Sequence, residues 1–178
     1  HFYKCFEEAS GEDLSNFRRW YSQPGTPTIT ASEIWDEDSN TLTVLLTQTN
    51  PKTPGNDTPT PLPMPLRVAA FAPDGTTLED LTLLIESDAT IWTVKSEAGR
   101  PFVSLNRGFS APIRLDHQIQ DAQRLDLARL DNDPFNQWDA LQALVKKDIL
   151  TLAYGDASAP DTNIIAAIAD AVRANMSD

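Results

Sequence analysis

The stretch TLTVLLTQT, residues 41–49, decides the fold class of this chain. In it Leu42, Val44 and Leu46 share one face of an extended chain, and threonines occupy most of the other face. Because successive side chains of a β-strand point to opposite faces, this period of two predicts a strand with one buried face. The same period recurs on both sides of the stretch and indicates a β domain.

Six further short segments carry strand patterns. They are Thr28–Ser32, Leu66–Ala72, Leu81–Ile85, Thr90–Val94, Phe102–Leu105 and Pro112–Ile119. Turn-forming residues separate them, as in Pro73-Asp74-Gly75. About seven short strands without intervening helices predict an Ig-like antiparallel β-sandwich over residues 26–119. The cysteine–tryptophan–cysteine pattern of true immunoglobulin domains is absent, so the likeness concerns architecture only.

A Pro-rich segment, Asn50–Pro65, interrupts the strand pattern and holds six prolines. Proline has no backbone N–H to donate to a sheet, so this segment cannot form a central strand. It predicts an exposed, stiff loop between two strands, partly in the polyproline II conformation.

The residues before and after the predicted sandwich have helical spacing. Phe2, Phe6 and Ala9 indicate a first helix, and Asp13 is placed to cap a second helix that ends before Pro24. The apolar residues of the second helix are Leu14, Phe17, Trp20 and Tyr21. The fold class is therefore mainly β with flanking helices, a sandwich of about seven strands between two helical segments.

The C-terminal helical segment contains three predicted helices. The first covers Asp121–Leu130, the second starts at Asp133-Pro134 and stops at Gly155, and Thr162 is placed to cap the third. The apolar stripes of the last two are Phe135, Trp138, Leu141, Val145 and Ile149, and then Ile165, Ile168, Val172 and Met176. Helix faces as apolar as these two are expected to pack against a further surface.

The composition excludes several classes of partner. The 178 residues include 26 acidic and 14 basic side chains, a net charge of −12. That balance argues against nucleic acid and against an anionic membrane surface, both of which require Lys and Arg. No apolar run reaches the ~20 residues of a membrane span, and we expect no signal peptide at HFYKCFEEAS. Cys5 is the only cysteine, which favours a reducing compartment and a cytoplasmic location.

The residues that could carry chemistry form no catalytic constellation. His1 and His117 cannot make the HExxH motif of a zinc protease, and we expect His117 to be a core or interface histidine with a hydrogen-bond partner. Cys5 has helical spacing beside Phe2 and Phe6, which predicts a buried structural thiol.

The acidic, basic and aromatic candidates also have structural interpretations. The carboxylate pairs Glu7-Glu8, Asp36/Asp38 and Asp131/Asp133 suit turns and helix caps better than calcium binding. Arg18 and Arg19 could bind an anion, but we favour the interpretation that they lie on a solvated face or form inter-domain ion pairs. We expect packing roles for Trp20, Tyr21, Trp92 and Trp138. We therefore predict no catalytic, cofactor-binding or metal-binding residue in this chain.

A family resemblance enters through Trp20–Pro27, which reads W-x-x-Q-x-G-x-P. This run resembles the end of the catalytic domain of bacterial aminopeptidase N, a gluzincin zinc aminopeptidase. Further matches follow in the same order: TLTVLLTQTNPKTPG (41–55), PLPMPLRVAAFAPDG (61–75), GFSAPIRLDHQI (108–119), DNDPFNQWDALQAL (131–144) and IADAVRANM (168–176). The resemblance implies three parts: the last helices of the catalytic domain (1–25), the Ig-like domain (26–119) and the first helices of the C-terminal helical domain (120–178).

The resemblance also implies a parent enzyme whose chemistry lies outside these residues. The family holds zinc with HExxH and a following glutamate, binds the substrate amino terminus with a GxMEN loop, and stabilises the oxyanion with a tyrosine. Neither HExxH nor GxMEN occurs in this chain, and no site residue carries over. The implied partners are the remaining domains of the parent and the peptides from which it removes N-terminal residues. The alternative is a free-standing β-sandwich interaction module that binds through an edge strand or the Pro-rich segment.

Overall fold

The computed structural model describes residues 2–155 and 158–176, without the side chains of residues 172 and 174–176. His1 and the predicted stripe positions Val172 and Met176 therefore lie outside the described side chains. The helices are α1 (Phe2–Ser10), α2 (Arg19–Ser22), α3 (Asp121–Leu130), α4 (Pro134–Ala153) and α5 (Thr162–Met176). The strands are β1 (Thr28–Asp36), β2 (Thr41–Thr49), β3 (Met64–Phe71), β4 (Thr77–Ile85), β5 (Ala89–Lys95), β6 (Phe102–Leu105) and β7 (Arg114–His117).

The seven strands of the described residues form two sheets and confirm the predicted sandwich. A four-stranded sheet has the order β5-β2-β1-β7, and a three-stranded sheet has the order β4-β3-β6. All neighbouring strands are antiparallel except β1 and β7, which are parallel. A parallel pair needs a long connection, and here the other five strands lie between its two members in the chain.

The core lies between the two sheets. Leu42, Val44 and Leu46 of β2 are fully buried, as the period of two predicts. They pack with the inward residues Ile29 and Ala31 of β1 and with apolar residues of β3. Burial of these side chains removes apolar surface from water, the main favourable term in folding.

One strand begins earlier than the sequence predicts. The strand β3 includes Met64 and Pro65, which were expected in the Pro-rich loop. Pro65 is paired with Leu84 of β4, whereas β6 pairs with β3 only from Val68 onward. A proline is tolerated here because it has a strand neighbour on one side only.

The C-terminal helices pack on the sandwich through a second, smaller core. Phe71 and Phe102 stack with ring centroids 5.2 Å apart, and Leu127 of α3 and Ala140 of α4 pack against them. Helix α4 buries Ala140 and Leu144. Its predicted stripe residues Phe135, Trp138 and Ile149 are exposed, as are Ile165 and Ile168 of α5. These faces agree with the expectation that the stripes need a further partner surface.

Three smaller predictions were wrong. Helix α1 buries no residue, so Cys5 is exposed rather than buried. Tyr21 and Trp138 are also exposed, because the helices that carry them turn other residues toward the sandwich. Helix α5 is capped by Asp161 rather than by Thr162, since Asp161 Oδ1 accepts from the backbone N–H of Asn163 at 2.8 Å. None of the described helices is long and apolar enough to cross a membrane.

Candidate functional site: buried polar contacts between the sandwich and its flanking helices

Four consecutive backbone carbonyls, at residues 60–63, each accept a hydrogen bond from a side chain. The donors, in the order of the carbonyls, are Gln23 Nε2 (2.8 Å), Arg19 Nη1 (2.8 Å), Gln48 Nε2 (3.0 Å) and Trp20 Nε1 (2.7 Å). We call these four side chains the loop anchor. Three of them come from the end of the N-terminal helical segment, so the anchor ties that segment to the entrance of β3.

The two glutamines of the loop anchor also accept hydrogen bonds. Gln23 Oε1 accepts from the N–H of Thr60 at 2.9 Å, and Gln48 Oε1 accepts from the N–H of Leu62 at 2.6 Å. Each amide side chain thus pairs with both backbone groups of one residue, as a neighbouring strand would. The prolines at 61 and 63 have no N–H, and their carbonyls receive the single donors from Arg19 and Trp20.

The loop anchor corrects the prediction of an exposed Pro-rich loop at the end of the segment, whereas residues 51–60 are mostly exposed as expected. Leu62 is fully buried in the main core, and Pro63 is also buried. At the other end of the segment, Pro51 packs against Gly25, whose φ is +105°. A Cβ added at Gly25 would lie 2.5 Å from Pro51 Cγ. The resemblance motif W-x-x-Q-x-G-x-P therefore has a physical role, because its Trp, Gln and Gly hold the Pro-rich segment.

A buried ion pair joins the sandwich to the C-terminal helices. Arg107 Nη1 donates to Asp131 Oδ1 at 2.6 Å, and their side chains are 4% and 0% exposed. Asn132 Oδ1 accepts from the other terminal nitrogen of Arg107, whose guanidinium also lies over the ring of Phe71. Arg107 follows β6, and Asp131 follows α3, so the pair fixes the helix against the sheet. We call it the Arg107–Asp131 pair.

Asp133 has the predicted role of helix cap. Its Oδ1 accepts from the backbone N–H groups of Phe135 and Asn136, both at 3.1 Å, at the start of α4. Its Oδ2 accepts from the N–H of Gly108 at 2.9 Å. Asp131 was expected to serve only turns and caps, and its ion pair with Arg107 was missed because Arg107 is 24 positions away in the chain.

Glu33 is the centre of a third buried polar group. Its carboxylate is bonded to His117 Nε2 at 2.7 Å, Arg100 Nη2 at 3.1 Å and Gln123 Nε2 at 2.9 Å. Burial raises the pKa of Glu33, but the hydrogen bonds and the charges of these partners outweigh burial and hold the pKa below its ordinary value. The expected hydrogen-bond partner of His117 is therefore Glu33. Because Gln123 belongs to α3, this Glu33 cluster also connects the sandwich to the C-terminal helices.

The other candidate residues are dispersed. Arg18 lies over the Tyr3 ring at 4.1 Å and forms an ion pair with Glu7 at 3.5 Å. Asp36 accepts from Ser39 within a turn, and these hydrogen bonds lower the pKa of Asp36. Within the described residues, no group of three or more His, Cys, Asp or Glu side chains is arranged to hold a metal ion.

Two family models match the chain. Residues 25–118 match a domain of unknown function (DUF3458) with an Ig-like fold, which is more than half of the chain. Residues 121–178 match the domain DUF3458_C, described as ARM repeats.

Three curated relatives are all named aminopeptidase N. The Caulobacter vibrioides protein is 40% identical over 90% of this chain, the Haemophilus influenzae protein 31% over 94%, and the Escherichia coli protein 30% over 99%. The chain covers 18–21% of these proteins. It thus spans about a fifth of the length of the curated relatives that it matches.

A solved structure has the same fold. The crystal structure of Legionella pneumophila aminopeptidase A in complex with aspartic acid superposes with a TM-score of 0.77. The two sequences are 21% identical, and the match covers 97% of this chain and 19% of the Legionella chain. The chain belongs to the DUF3458 family, whose Ig-like and ARM-repeat domains are domains of aminopeptidase N, and it forms a segment of such a protein.

Proposed function

We propose that this chain is the non-catalytic structural and inter-domain segment of a zinc metallo-aminopeptidase whose full-length form removes N-terminal amino acids from peptides. The similarity to aminopeptidase N over 90–99% of the chain supports the parent, and the relatives' greater length supports the presence of further domains. The partners of this segment are those remaining domains, and peptides are the substrates of the parent.

The observation that carries the structural role is the distribution of buried polar contacts. The loop anchor joins the N-terminal helical segment to the sandwich, and the Arg107–Asp131 pair joins the sandwich to the C-terminal helices. Buried polar groups are satisfied only in a narrow range of geometries. The segment is therefore suited to hold two helical parts at fixed positions on the sandwich. We keep the proposed domain boundaries after residues 25 and 119.

Zinc chemistry belongs to the parent in this proposal. The donors that a zinc site needs are not grouped among the described residues, so the chain's own side chains do not fit the metal. We assign no step of peptide hydrolysis to this chain.

The decisive experiment compares the 178-residue chain with the full-length parent. Release of alanine from an alanyl chromogenic substrate is measured before and after chelation of zinc. We expect the parent to be active and to lose activity on chelation, and the isolated chain to be inactive at any zinc concentration. Zinc-dependent hydrolysis by pure chain would overturn the proposal.

A second experiment tests the connecting role. In the parent, Trp20→Phe keeps an aromatic ring but removes the hydrogen bond to the carbonyl of Pro63. We expect a lower melting temperature with little change in KM, because the altered contact lies at the joint. The matched control is Trp92→Phe, which removes a hydrogen bond to Glu79 elsewhere in the sandwich. The role is refuted if Trp20→Phe leaves the melting temperature unchanged.

The alternative of a free-standing interaction module has less support. The Pro-rich segment is one of its two proposed docking elements, and the loop anchor already holds residues 60–63 of it against the sandwich. A cytoplasmic location also remains part of our proposal and is tested by fractionating cells that express the parent.

A further inference from the structure

A polar pocket of about 300 Å³ lies between the sandwich and the C-terminal helices. Its walls come from β6 and β7, which are edge strands of different sheets, and from α3 and α4. The pocket is at the lower end of the volume range of small-molecule sites in proteins. Its size therefore suits one small molecule rather than a folded partner or a long peptide. We call it the edge pocket.

Two opposite charges line the edge pocket without pairing. Arg124 of α3 is half-buried, and Asp139 of α4 is exposed. Neither side chain forms an ion pair or a hydrogen bond with another of the residues that the structure describes. The guanidinium and the carboxylate are therefore not in contact, although they line the same small space. A ligand that carries both a negative and a positive group would pair with each of them.

A buried hydroxyl in the wall of the pocket has a proton left to donate. Ser104 of β6 is 1% exposed, and its Oγ accepts from Asn136 Nδ2 at 2.7 Å and from Arg107 Nη1 at 3.2 Å. A hydroxyl group has two acceptor lone pairs and one proton. Both lone pairs are used, so the proton needs an acceptor, which no group among the described residues provides. Because a buried polar group without a partner is costly, this proton favours a ligand with an acceptor atom.

The wall formed by α4 offers acceptors. Asn136 Nδ2 uses both of its protons, in the bond to Ser104 and in a bond of 3.0 Å to the carbonyl of Leu105. These bonds fix the amide, and its Oδ1 accepts from none of the described residues. Asn136 and Asp139 are three positions apart, so they share one face of the helix. Together with the donors of Arg124 and Ser104, these two acceptors give the pocket both kinds of hydrogen-bond partner.

We propose that the edge pocket binds a free α-amino acid with an apolar side chain, in its zwitterionic form. Arg124 and the hydroxyl of Ser104 bind its carboxylate. Asp139 and the Oδ1 atom of Asn136 bind its ammonium group. Hydrogen bonds in which one partner is charged are stronger than neutral ones, so these contacts provide the affinity. The side chain of the ligand contacts the apolar part of the lining, which consists of Val103, Leu105, Leu115, Ile119 and Leu127.

Ions of one sign fit the edge pocket less well. An anion would leave the carboxylate on α4 unpaired, and a cation would leave the guanidinium on α3 unpaired. The other two ionisable groups of the lining already have partners, since Asp116 accepts from Gln118 Nε2 at 2.6 Å and His117 is bonded to Glu33 at 2.7 Å. Among the described residues, no three metal-ligating side chains are grouped to hold a cation here.

The inference goes beyond the proposed function and is independent of it, because binding in this pocket involves neither zinc nor hydrolysis. A free amino acid is also what the proposed parent releases from a peptide. In that parent the edge pocket would be a place where product binds outside the zinc site.

Calorimetric titration of the 178-residue chain with L-leucine tests the assignment. Two analogues are titrated beside it: N-acetyl-L-leucine lacks the ammonium group, and L-leucinamide lacks the carboxylate. Arg124→Gln and Asp139→Asn each remove one charge of the pocket, and circular dichroism and the melting temperature are used to check that both variants fold. The matched control is Arg114→Gln, because Arg114 is exposed, has no side-chain partner among the described residues and does not line the edge pocket.

We expect L-leucine to bind at one site per chain, and we expect each pocket variant to weaken this binding by about tenfold or more. Both analogues should bind the unaltered chain more weakly than L-leucine by a similar factor, and Arg114→Gln should leave the affinity unchanged. The assignment is lost if L-leucine shows no saturable binding, if the analogues bind equally well, or if neither pocket variant weakens binding.

The comparison of analogues uses the unaltered chain only, so it decides the question even where a variant does not fold. Hydrolysis by the parent is measured separately with the alanyl substrate. A parent without activity would refute the proposed function and leave the binding result standing, and a chain that does not bind L-leucine would refute the present inference alone.

Discussion

Substitution of Asp131 by alanine is the sharpest test of how the C-terminal helices are held. The change leaves the guanidinium of Arg107 buried, since that side chain is only 4% exposed, and removes its only ionic partner within the described residues. It also removes the acceptor for the backbone N–H of Asp133 at 2.9 Å. Breaking a buried ion pair from one side costs about 3–5 kcal/mol, because an uncompensated charge remains inside.

The loss is measured by urea unfolding, followed by tryptophan fluorescence. With an m-value of about 2 kcal/mol/M, the midpoint should fall by roughly 2 M. The melting temperature should fall by roughly 10 °C, because 1 kcal/mol shifts a domain of this size by about 2–4 °C.

The matched control is Asp80→Ala. Asp80 also binds an arginine, Arg67, through two hydrogen bonds at 3.1 and 3.0 Å, but that pair is exposed to water. Exposed pairs are screened, so we expect a midpoint close to that of the unaltered chain. The double variant Arg107→Met with Asp131→Leu should recover much of the loss, because both charges leave together. Equal midpoints for Asp131→Ala and Asp80→Ala would refute the reasoning.

Three further predictions concern the other buried groups. Gln48→Leu should destabilise the chain by about 2–4 kcal/mol, because it leaves both backbone groups of buried Leu62 unpaired. The control Gln118→Leu changes an exposed residue and should alter the urea midpoint little. Gly25→Ala should lower the free energy of unfolding by about 1–3 kcal/mol more than Gly55→Ala. Both glycines have positive φ, but of the two only Gly25 would bring the new Cβ within 4 Å of another atom. Equal losses of stability in the two variants would contradict this reasoning. Because the pKa of Glu33 is lowered from 4.5, its stabilisation is present above that value and lost as pH falls through the folded-state pKa. The stability difference between the unaltered chain and Glu33→Gln should thus shrink as pH falls below 4.5, and a difference that grows over that acidic range would count against the assignment.

The sandwich could be predicted from sequence because its signal is local. In β2 the period of two gives both the strand limits, Thr41 and Thr49, and the buried face. The start of β3 at Met64 was harder to predict, because a proline such as Pro65 is excluded from a strand only where strand neighbours lie on both sides. The alternating patterns of β1 and β7 do not predict that these two strands pair in parallel, because that pairing depends on the path of the whole chain.

The buried polar groups could not be predicted, although part of their signal was present. Gln48 continues the inward register of Leu46, and Glu33 continues that of Ala31. A polar residue at an inward strand position indicates a buried hydrogen bond, because an unpaired one would be costly. It does not identify the partner, which for Glu33 lies 84 positions away at His117. The predicted aromatic packing of Tyr21 and Trp138 was wrong for a related reason. Helical spacing shows that residues share a face, and not what that face meets.

The loop anchor and the Arg107–Asp131 pair have a common explanation. The N-terminal helical segment contacts the main core through Trp20, whereas α3 and α4 contribute Leu127 and Ala140 to the smaller core. Apolar contacts alone tolerate sliding and repacking, whereas a satisfied buried hydrogen bond requires one geometry. The loop anchor sets α2 against the entrance of β3, and the Arg107–Asp131 pair sets the loop after β6 against the end of α3. Polar contacts at these two joints therefore hold both helical parts at fixed positions on the sandwich, as the proposed structural role requires.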